Sequence, residues 1–242
     1  MLSKNEVKYI QSLCHKKQRQ ADSVFVVEGP KPVEEVLAAD FKIKKIYAVP
    51  EWADKNADLT NVITITEDEL QRISNQQSPN KVLAVVEQPI LTGAPVFKGN
   101  ITLVLDGIQD PGNMGTIIRI ADWFGINQII CSKDTVELYN PKVIQSTMGS
   151  FSRVKLWYTD LKETLAGAEV PVFGALLNGS GIYDQPKIKE GVLIIGNEGK
   201  GIREDVLKLI TNPITIPKMG GAESLNAAVA TGIIVAYLVG RA

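Results

Sequence analysis

From Ile101 onward the sequence alternates short apolar runs with helix-like segments, and no other feature constrains the fold as strongly. The apolar runs read ITLVL, NQIICS, RVKLWY, PVFGALL, VLIIG and PITIP, and the last segment, SLNAAVATGIIVAYL, is helix-like. Such alternation is typical of a mostly parallel sheet that is covered on both faces. We therefore predict an α/β domain built on a mostly parallel sheet of about six strands.

The first 88 residues predict a second and smaller α/β domain. Capping-box patterns at Ser3–Glu6 and Thr66–Glu69 indicate helix starts, and the runs SVFVVEG, KKIYAVP, VITIT and KVLAVVE indicate strands. The segment QPILTGAPVFKG then contains two prolines and two glycines without periodicity, which is typical of a linker. We predict domains at residues 1–88 and 100–242, joined by a linker at 89–99.

The composition argues against several classes of protein. His15 is the only histidine, which argues against a Ser-His-Asp triad and a multi-histidine metal site, so we predict no metal. Cys14 and Cys131 lack CxxC spacing and a secretory segment is not evident, which favours a cytoplasmic location. The apolar stretch Leu225–Val239 is shorter than the ~20 residues of a membrane span and predicts a buried core helix, so we expect no membrane partner.

A basic cluster at the start of the chain is the candidate nucleic-acid surface. The formal net charge of -1 gives no global signal for a polyanion, so such a surface has to be local. Against Glu6 alone, residues 1–20 hold the cations Lys4, Lys8, Lys16, Lys17 and Arg19. A solvated helix face is the alternative interpretation. Without an accompanying aromatic cluster, these cations predict salt-dependent and weakly base-specific binding.

Two glycine-rich loops late in the chain predict a ligand pocket. GNEGKG follows one apolar run, and KMGGAE follows another just before a helix-like segment. Strand carboxyl ends and helix N-termini bind ligands in open α/β sheets. GNEGKG fits neither a phosphate-binding P-loop nor a dinucleotide fingerprint, because its lysine and glycine spacings differ from both. The backbone of the pocket is expected to come from Gly196, Gly199, Gly201, Gly220 and Gly221.

A third loop, DGIQDPGNMG, follows the first apolar run of the larger domain. Asn113 is placed to cap the helix that carries Arg119, and Ser224 is placed to cap the last helix. Arg119 is the sole charge in an apolar turn, where a guanidinium needs an anionic or carbonyl partner. Helix capping and an ordinary surface charge remain the alternative interpretations of these three residues.

Three motifs resemble those of a known family. DPGNMGTIIRIADWFG, LIIGNEGKGI and IPKMGGAESLNAAVATGI look like the motifs of the SpoU-type (TrmH-like) branch of the SPOUT methyltransferases. The resemblance covers most of residues 101–240 and implies S-adenosylmethionine-dependent methylation of RNA ribose 2′-hydroxyls. It also implies a C-terminal trefoil knot and a homodimer. The opening segment is similar to the substrate-binding extension of members that act on large-subunit rRNA, which favours 23S rRNA.

The resemblance assigns expected roles residue by residue. The expected catalytic set is Asn113, Arg119, Glu198, Ser224 and Asn226. The expected cofactor-binding set is Leu176, Gly196, Gly201, Ile216, Met219 and Leu225. The basic cluster, rather than the resemblance, gives the expected RNA-binding set of Lys4, Lys16, Lys17 and Arg19. Glu198 is the expected partner of Arg119, within the chain or across a dimer. A tRNA 2′-O-methyltransferase and a catalytically idle, RNA-binding ribosome-assembly factor remain the alternatives.

Overall fold

The structure is a computed structural model and describes residues 1–39 and 41–239. It divides into two units, which are described separately. Unit 1 is Met1–Leu91 with Tyr139–Ser152, and unit 2 is Thr92–Leu138 with the described chain from Arg153 onward. The short segment Tyr139–Ser152 belongs to unit 1 because it packs there: the rings of Phe25 and Tyr139 lie 4.6 Å apart. The predicted domain and linker boundaries stay predictions.

Unit 1 contains a four-stranded sheet in the order β1-β4-β2-β3. Its strands are β1 (Val24–Glu28), β2 (Ile43–Ala48), β3 (Val62–Thr64) and β4 (Val82–Glu87). β4 is antiparallel to both of its neighbours, and β2 and β3 are parallel. The helices are α1 (Lys4–Ser12), α2 (Lys16–Asp22), α3 (Pro30–Ala38), α4 (Pro50–Lys55) and α5 (Glu67–Ile73).

The two predicted capping boxes of unit 1 differ in the structure. At α5 the box is complete, because Thr66 Oγ1 accepts from the Glu69 amide and the Glu69 carboxylate accepts from the Thr66 amide. At α1 the Ser3 hydroxyl accepts from the Glu6 amide at 3.1 Å, but the Glu6 carboxylate turns to Lys45 and the Tyr47 hydroxyl. Both helices start where the sequence predicts.

Unit 2 contains a six-stranded sheet in the order β10-β8-β9-β5-β6-β7. Its strands are β5 (Ile101–Asp106), β6 (Gln128–Ser132), β7 (Lys155–Thr159), β8 (Val172–Gly181), β9 (Gly191–Gly196) and β10 (Asn212–Thr215). Every neighbouring pair is parallel, which confirms the prediction of an α/β fold with a mostly parallel sheet. The trefoil knot stays a prediction.

The helices that follow these strands are α6 (Pro111–Trp123), α7 (Pro141–Thr147), α8 (Leu161–Leu165), α9 (Glu204–Leu207) and α10 (Ala227–Leu238); of these, α7 lies in unit 1. β5 and β9 are adjacent and in register, with Asp106 opposite Gly196. Because both strands end at the same edge of the sheet, the DGIQDPGN loop after β5 and the GNEGKG loop after β9 emerge side by side.

The predicted core helix at Leu225–Val239 is buried on one side only. α10 buries one face at Ala227, Ala228, Thr231, Ile234, Val235 and Leu238. On the opposite face Val229 is 51% exposed in the single chain, so burial of this face by a second subunit stays a prediction. Within residues 1–39 and 41–239, helices are too short or too polar to cross a membrane.

Candidate active site

A pocket of about 560 Å³ lies in unit 2, where the ends of β9 and β10 meet the middle of β8. Its lining combines apolar side chains, such as Ile195, Ile214 and Ile234, with the backbone of the two glycine-rich loops. All of the residues predicted to bind the cofactor line this pocket: Leu176, Gly196, Gly201, Ile216, Met219 and Leu225. The structure therefore brings together residues that are distant in the sequence.

The turn after β9 forms one wall of the pocket and depends on its glycines. Asn197 and Gly201 pair through two backbone hydrogen bonds of 3.1 and 2.9 Å, which close a tight hairpin. A Cβ atom at Gly196 would lie 2.4 Å from the carbonyl carbon of Gly201, so a larger residue there would force the hairpin open. Gly201 has φ +69°, which favours glycine. The glycines thus allow the backbone of this turn to fold tightly beside the pocket.

Three of the candidate catalytic side chains form a continuous hydrogen-bonded chain. The Asn113 amide nitrogen donates to Glu198 Oε1 at 2.6 Å, and the Asn113 amide oxygen accepts from the Asn226 amide nitrogen at 2.8 Å. Glu198 also lines the pocket, and Ser224 lines it from the loop before α10. The loops after β5, β9 and β10 therefore converge at the pocket edge.

The helix caps differ from the predicted ones. Asp110 caps α6, because its Oδ1 accepts from the Asn113 amide at 2.7 Å. Pro111 is the first helical residue, a position that proline favours, so the helix starts earlier than the sequence reading placed it. Asn226 caps α10 by accepting from the amides of Ala228 and Val229, so Ser224 is not the cap. The Asn113 side chain is consequently available for Glu198 and Asn226.

Within the described residues of the single chain, Arg119 and Glu198 do not form an ion pair, and their pairing across a dimer stays a prediction. Arg119 is exposed on α6, and within the described residues no hydrogen bond or ion pair engages it. The apolar neighbours of Arg119 predict a buried guanidinium, but an exposed guanidinium in contact with water needs no protein partner. Glu198 instead accepts from the Asn113 side chain.

The structure adds supporting residues that the sequence reading missed. Asp106 is 1% exposed at the end of β5, and its carboxylate accepts from the Arg203 amide at 2.8 Å and pairs with the Arg203 guanidinium at 2.6 Å. The Asn197 side chain bonds to the backbone of its own turn and to the loop after β5. Asp106 could have been identified from the sequence, because an acidic residue at the end of a buried strand is unusual. For Asn197 the sequence gives no signal except its position next to Glu198.

The predicted RNA-binding residues divide into two groups in unit 1. Lys4, Lys16 and Lys17 are exposed. Arg19 is only 2% exposed, and its guanidinium donates to the carbonyl oxygens of Leu13 and Cys14 at 2.7 Å. Burial lowers the pKa of Arg19, and its hydrogen bonds satisfy carbonyls after the end of α1. We therefore leave Arg19 out of the candidate RNA surface.

The part of the chain that the structure describes contains no group of three or more His, Cys, Asp or Glu residues placed to hold a metal ion. The candidate site consists of side-chain amides, a carboxylate, a guanidinium and exposed backbone.

Sequence comparisons assign the chain to a family. Residues 100–236 match the SpoU rRNA Methylase family, and residues 4–84 match the MRM3-like substrate binding domain. The chain belongs to the SpoU rRNA methylase family. It is 32% identical over 245 residues to the 23S rRNA (guanosine(2553)-2'-O)-methyltransferase RlmP of Bacillus subtilis (strain 168), and the match covers 98% of each chain.

Solved structures support the same family. A TrmH-family protein from Porphyromonas gingivalis has a TM-score of 0.87 and 36% identity, with 98% of each chain covered. An AdoMet-bound rRNA methyltransferase from Sinorhizobium meliloti has a TM-score of 0.86 and 31% identity, with 98% of this chain and 96% of that chain covered. These comparisons confirm the family and the fold that the motifs predict.

Proposed function

We propose that this protein transfers a methyl group from S-adenosylmethionine to a ribose 2′-hydroxyl of RNA, with 23S rRNA as its substrate. One observation carries the proposal. Glu198 lines the pocket and accepts a hydrogen bond from Asn113, which in turn accepts one from Asn226. Candidate catalytic side chains thus meet at the edge of the candidate cofactor pocket. The relative that is named a 23S rRNA methyltransferase supports the choice of RNA.

The pocket residues fit S-adenosylmethionine. Nucleoside ligands occupy largely apolar pockets in which a few polar groups, often backbone amides and carbonyls, fix the orientation. Here Ile195, Ile214 and Leu176 supply apolar surface, while the glycine turn around Gly196 supplies exposed backbone. When bound, S-adenosylmethionine supplies an electrophilic methyl group on a sulfonium.

The side chains of the site orient the acceptor ribose. Methyl transfer to a hydroxyl is an in-line displacement in which the hydroxyl gives up its proton to solvent, so positioning supplies much of the acceleration. A guanidinium is normally always protonated, so we assign Arg119 to orienting the 2′-oxygen and stabilising its developing negative charge. Its exposure and its freedom from protein partners within the described chain leave it available to RNA. Asn113, Glu198, Asn226 and Ser224 are assigned to the same site.

A second copy of the chain is the proposed partner, in addition to RNA. α6 and α10 pack together, with Ile120 Cδ1 3.5 Å from the place of a Cβ atom at Gly232. Apolar side chains remain exposed on both helices, including Trp123 at 86% and Val229 at 51%. Because Arg119 and Trp123 are four residues apart on α6, they share a face. A dimer through this surface would bring the partner close to Arg119.

The unit 1 lysines are the proposed RNA-anchoring surface, and the cytoplasm is the proposed location. Lys4, Lys16 and Lys17 are exposed and suited to phosphate contact. Cys14 and Cys131 are both free thiols, which fits a reducing compartment.

A tritium-transfer assay tests the proposed function. Purified protein is incubated with methyl-labelled S-adenosylmethionine and with unmodified rRNA or tRNA. We expect label in 23S rRNA as a ribose 2′-O-methyl group. Label confined to tRNA would contradict the proposed substrate, and an absence of label in every RNA would favour an idle RNA-binding protein.

A further inference from the structure

The Asn197 side chain joins the two loops that frame the site. Its amide oxygen accepts from the backbone amides of Gly199 and Lys200, both at 3.0 Å. Its amide nitrogen donates to the carbonyl oxygen of Gly107 at 2.7 Å. One side chain therefore closes the turn after β9 and attaches that turn to the loop after β5.

The Gly107 end of this connection is itself fixed. The Gly107 amide donates to the hydroxyls of Ser132 and Thr135 at 2.9 and 3.2 Å, and both of these side chains are buried. Gly107 has φ +75°, and a Cβ atom there would lie 3.4 Å from Asp134 Oδ2. Gly107 is therefore held on both sides, so Asn197 bonds to a rigid point.

The two loops position Glu198 and Asn113, which form the shorter of the two hydrogen bonds in the candidate catalytic chain. Asn197 directly precedes Glu198, and the loop that starts at Gly107 leads to the helix cap Asp110 and then to Asn113. Glu198 and Asn113 are 2.6 Å apart, oxygen to nitrogen. A shift of either loop would change this distance, and a shift of the turn would also reshape the pocket wall that Gly199 and Lys200 form.

We propose that Asn197 is a positioning residue that locks the cofactor-binding turn to the loop leading to Asn113, and thereby places Glu198 and Asn113 for methyl transfer. This inference rests on the proposed function. It assigns Asn197 two separable tasks, because its amide oxygen shapes the turn and its amide nitrogen holds the neighbouring loop.

Two substitutions separate these tasks. Asn197→Asp keeps acceptors for Gly199 and Lys200 but places a carboxylate oxygen against the Gly107 carbonyl. Asn197→Ala removes all three hydrogen bonds. Because only Asn197→Ala loses the two hydrogen bonds that shape the turn, we expect AdoMet Kd to stay within about threefold of wild type in Asn197→Asp and to rise about tenfold in Asn197→Ala. We expect kcat to fall about tenfold or more in both variants.

Asn61→Asp is the matched control. The Asn61 amide nitrogen donates to the Ile43 carbonyl at 3.0 Å, so this variant loses the same kind of bond within unit 1. We expect it to lower Tm slightly and to leave AdoMet Kd and kcat unchanged. If both Asn197 variants changed Kd, kcat and Tm in parallel, or if kcat in Asn197→Asp equalled that of wild type, the positioning role would be refuted.

Amide hydrogen exchange measures the hydrogen bonds of the turn and does not depend on methyl transfer. It therefore distinguishes failure of this inference from failure of the proposed function. We expect the Gly199 and Lys200 amides to exchange slowly in wild type and in Asn197→Asp and faster in Asn197→Ala. Equal exchange in all three proteins would overturn the inference. A wild-type protein that shows this pattern but transfers no methyl group to any RNA would overturn the proposed function instead.

Discussion

Asn226 uses the two ends of its side-chain amide for different purposes. Its oxygen accepts from the amides of Ala228 and Val229 and so caps α10, while its nitrogen donates to Asn113 at 2.8 Å. A capping role and a role in the site are therefore compatible in one residue. The sequence pattern places the cap at Ser224 and predicts no capping role for Asn226.

Substitutions at Asn226 should separate stability from activity. Asn226→Asp keeps the capping oxygen and loses the donor to Asn113, so we expect an unchanged Tm and a reduced kcat. Asn226→Ala loses both and should also reduce the free energy of unfolding by about 1 kcal/mol. Thermal unfolding and single-turnover methyl transfer measure the two effects. An Asn226→Asp protein with wild-type kcat would remove Asn226 from the site.

A substitution at Arg119 tests whether the planar geometry of its guanidinium is needed for methyl transfer. Arg119→Lys keeps the charge but loses the planar fork of donors, so we expect methyl transfer to slow by about tenfold or more. AdoMet Kd should not change, because Arg119 does not line the pocket. Arg153→Lys is the control: Arg153 is a partly exposed arginine of unit 2 that is paired with Asp122. Near-wild-type transfer by Arg119→Lys would contradict the assigned role.

At the scale of elements, α2 combines cations with opposite environments. Lys16 and Lys17 are exposed on its first turn, whereas Arg19 is buried against carbonyls after the end of α1. The charge pattern predicts one surface for Lys16, Lys17 and Arg19, because the sequence does not show that the Arg19 side chain is buried. α2 itself was also missed, since KKQRQAD has no apolar periodicity to read.

The two groups of cations should therefore respond differently to substitution. The double variant Lys16→Ala with Lys17→Ala should bind rRNA more weakly and lower the salt slope of binding by about 1.5, with Tm unchanged. Arg19→Ala should lower Tm instead, because it leaves buried carbonyls without a partner and costs about 1–3 kcal/mol. Filter binding at several salt concentrations and thermal unfolding measure these effects. A salt slope that the double lysine variant leaves unchanged would exclude these lysines from the RNA surface.

The regular elements of both sheets were predictable for a physical reason. Parallel strands buried on both faces read as apolar runs, and the six runs after Ile101 correspond to the six strands of the sheet of unit 2. The helix caps were less predictable, because Asp110, Asn113, Ser224 and Asn226 are all residue types that favour such positions. Only the three-dimensional structure shows which oxygen reaches the helix amides.

At the scale of the whole molecule, the side chains of the candidate site are brought together by contacts between residues that are far apart in the sequence. The hydrogen bond between Asn113 and Glu198 joins residues 85 positions apart, and the bond between Asn226 and Asn113 spans 113 positions. Periodicity carries no information at such separations, so it was the motif resemblance that brought these residues together. Sequence periodicity likewise carries no information about the knot or the dimer, which are predicted from the motif resemblance.

Exposed apolar side chains on α6 and α10 predict a dimer in solution. Val229 is 51% exposed in the single chain, and covering it with a second copy would stabilise the association. Sedimentation at micromolar concentration should show a dimer for wild type and a monomer for Val229→Lys. Lys16→Ala serves as the control, since it should remain dimeric. A wild-type protein that sediments only as a monomer would contradict the proposed partner.

The central claim is methyl transfer to a ribose of 23S rRNA, and a ribose-methylation map tests it most directly. rRNA and tRNA are mapped from cells that lack this protein, and from the same cells supplied with wild type or with Arg119→Ala. We predict that one 2′-O-methyl group of 23S rRNA is absent without the protein, restored by wild type and not restored by Arg119→Ala. An unchanged 23S rRNA map, or a change confined to tRNA, would contradict the account.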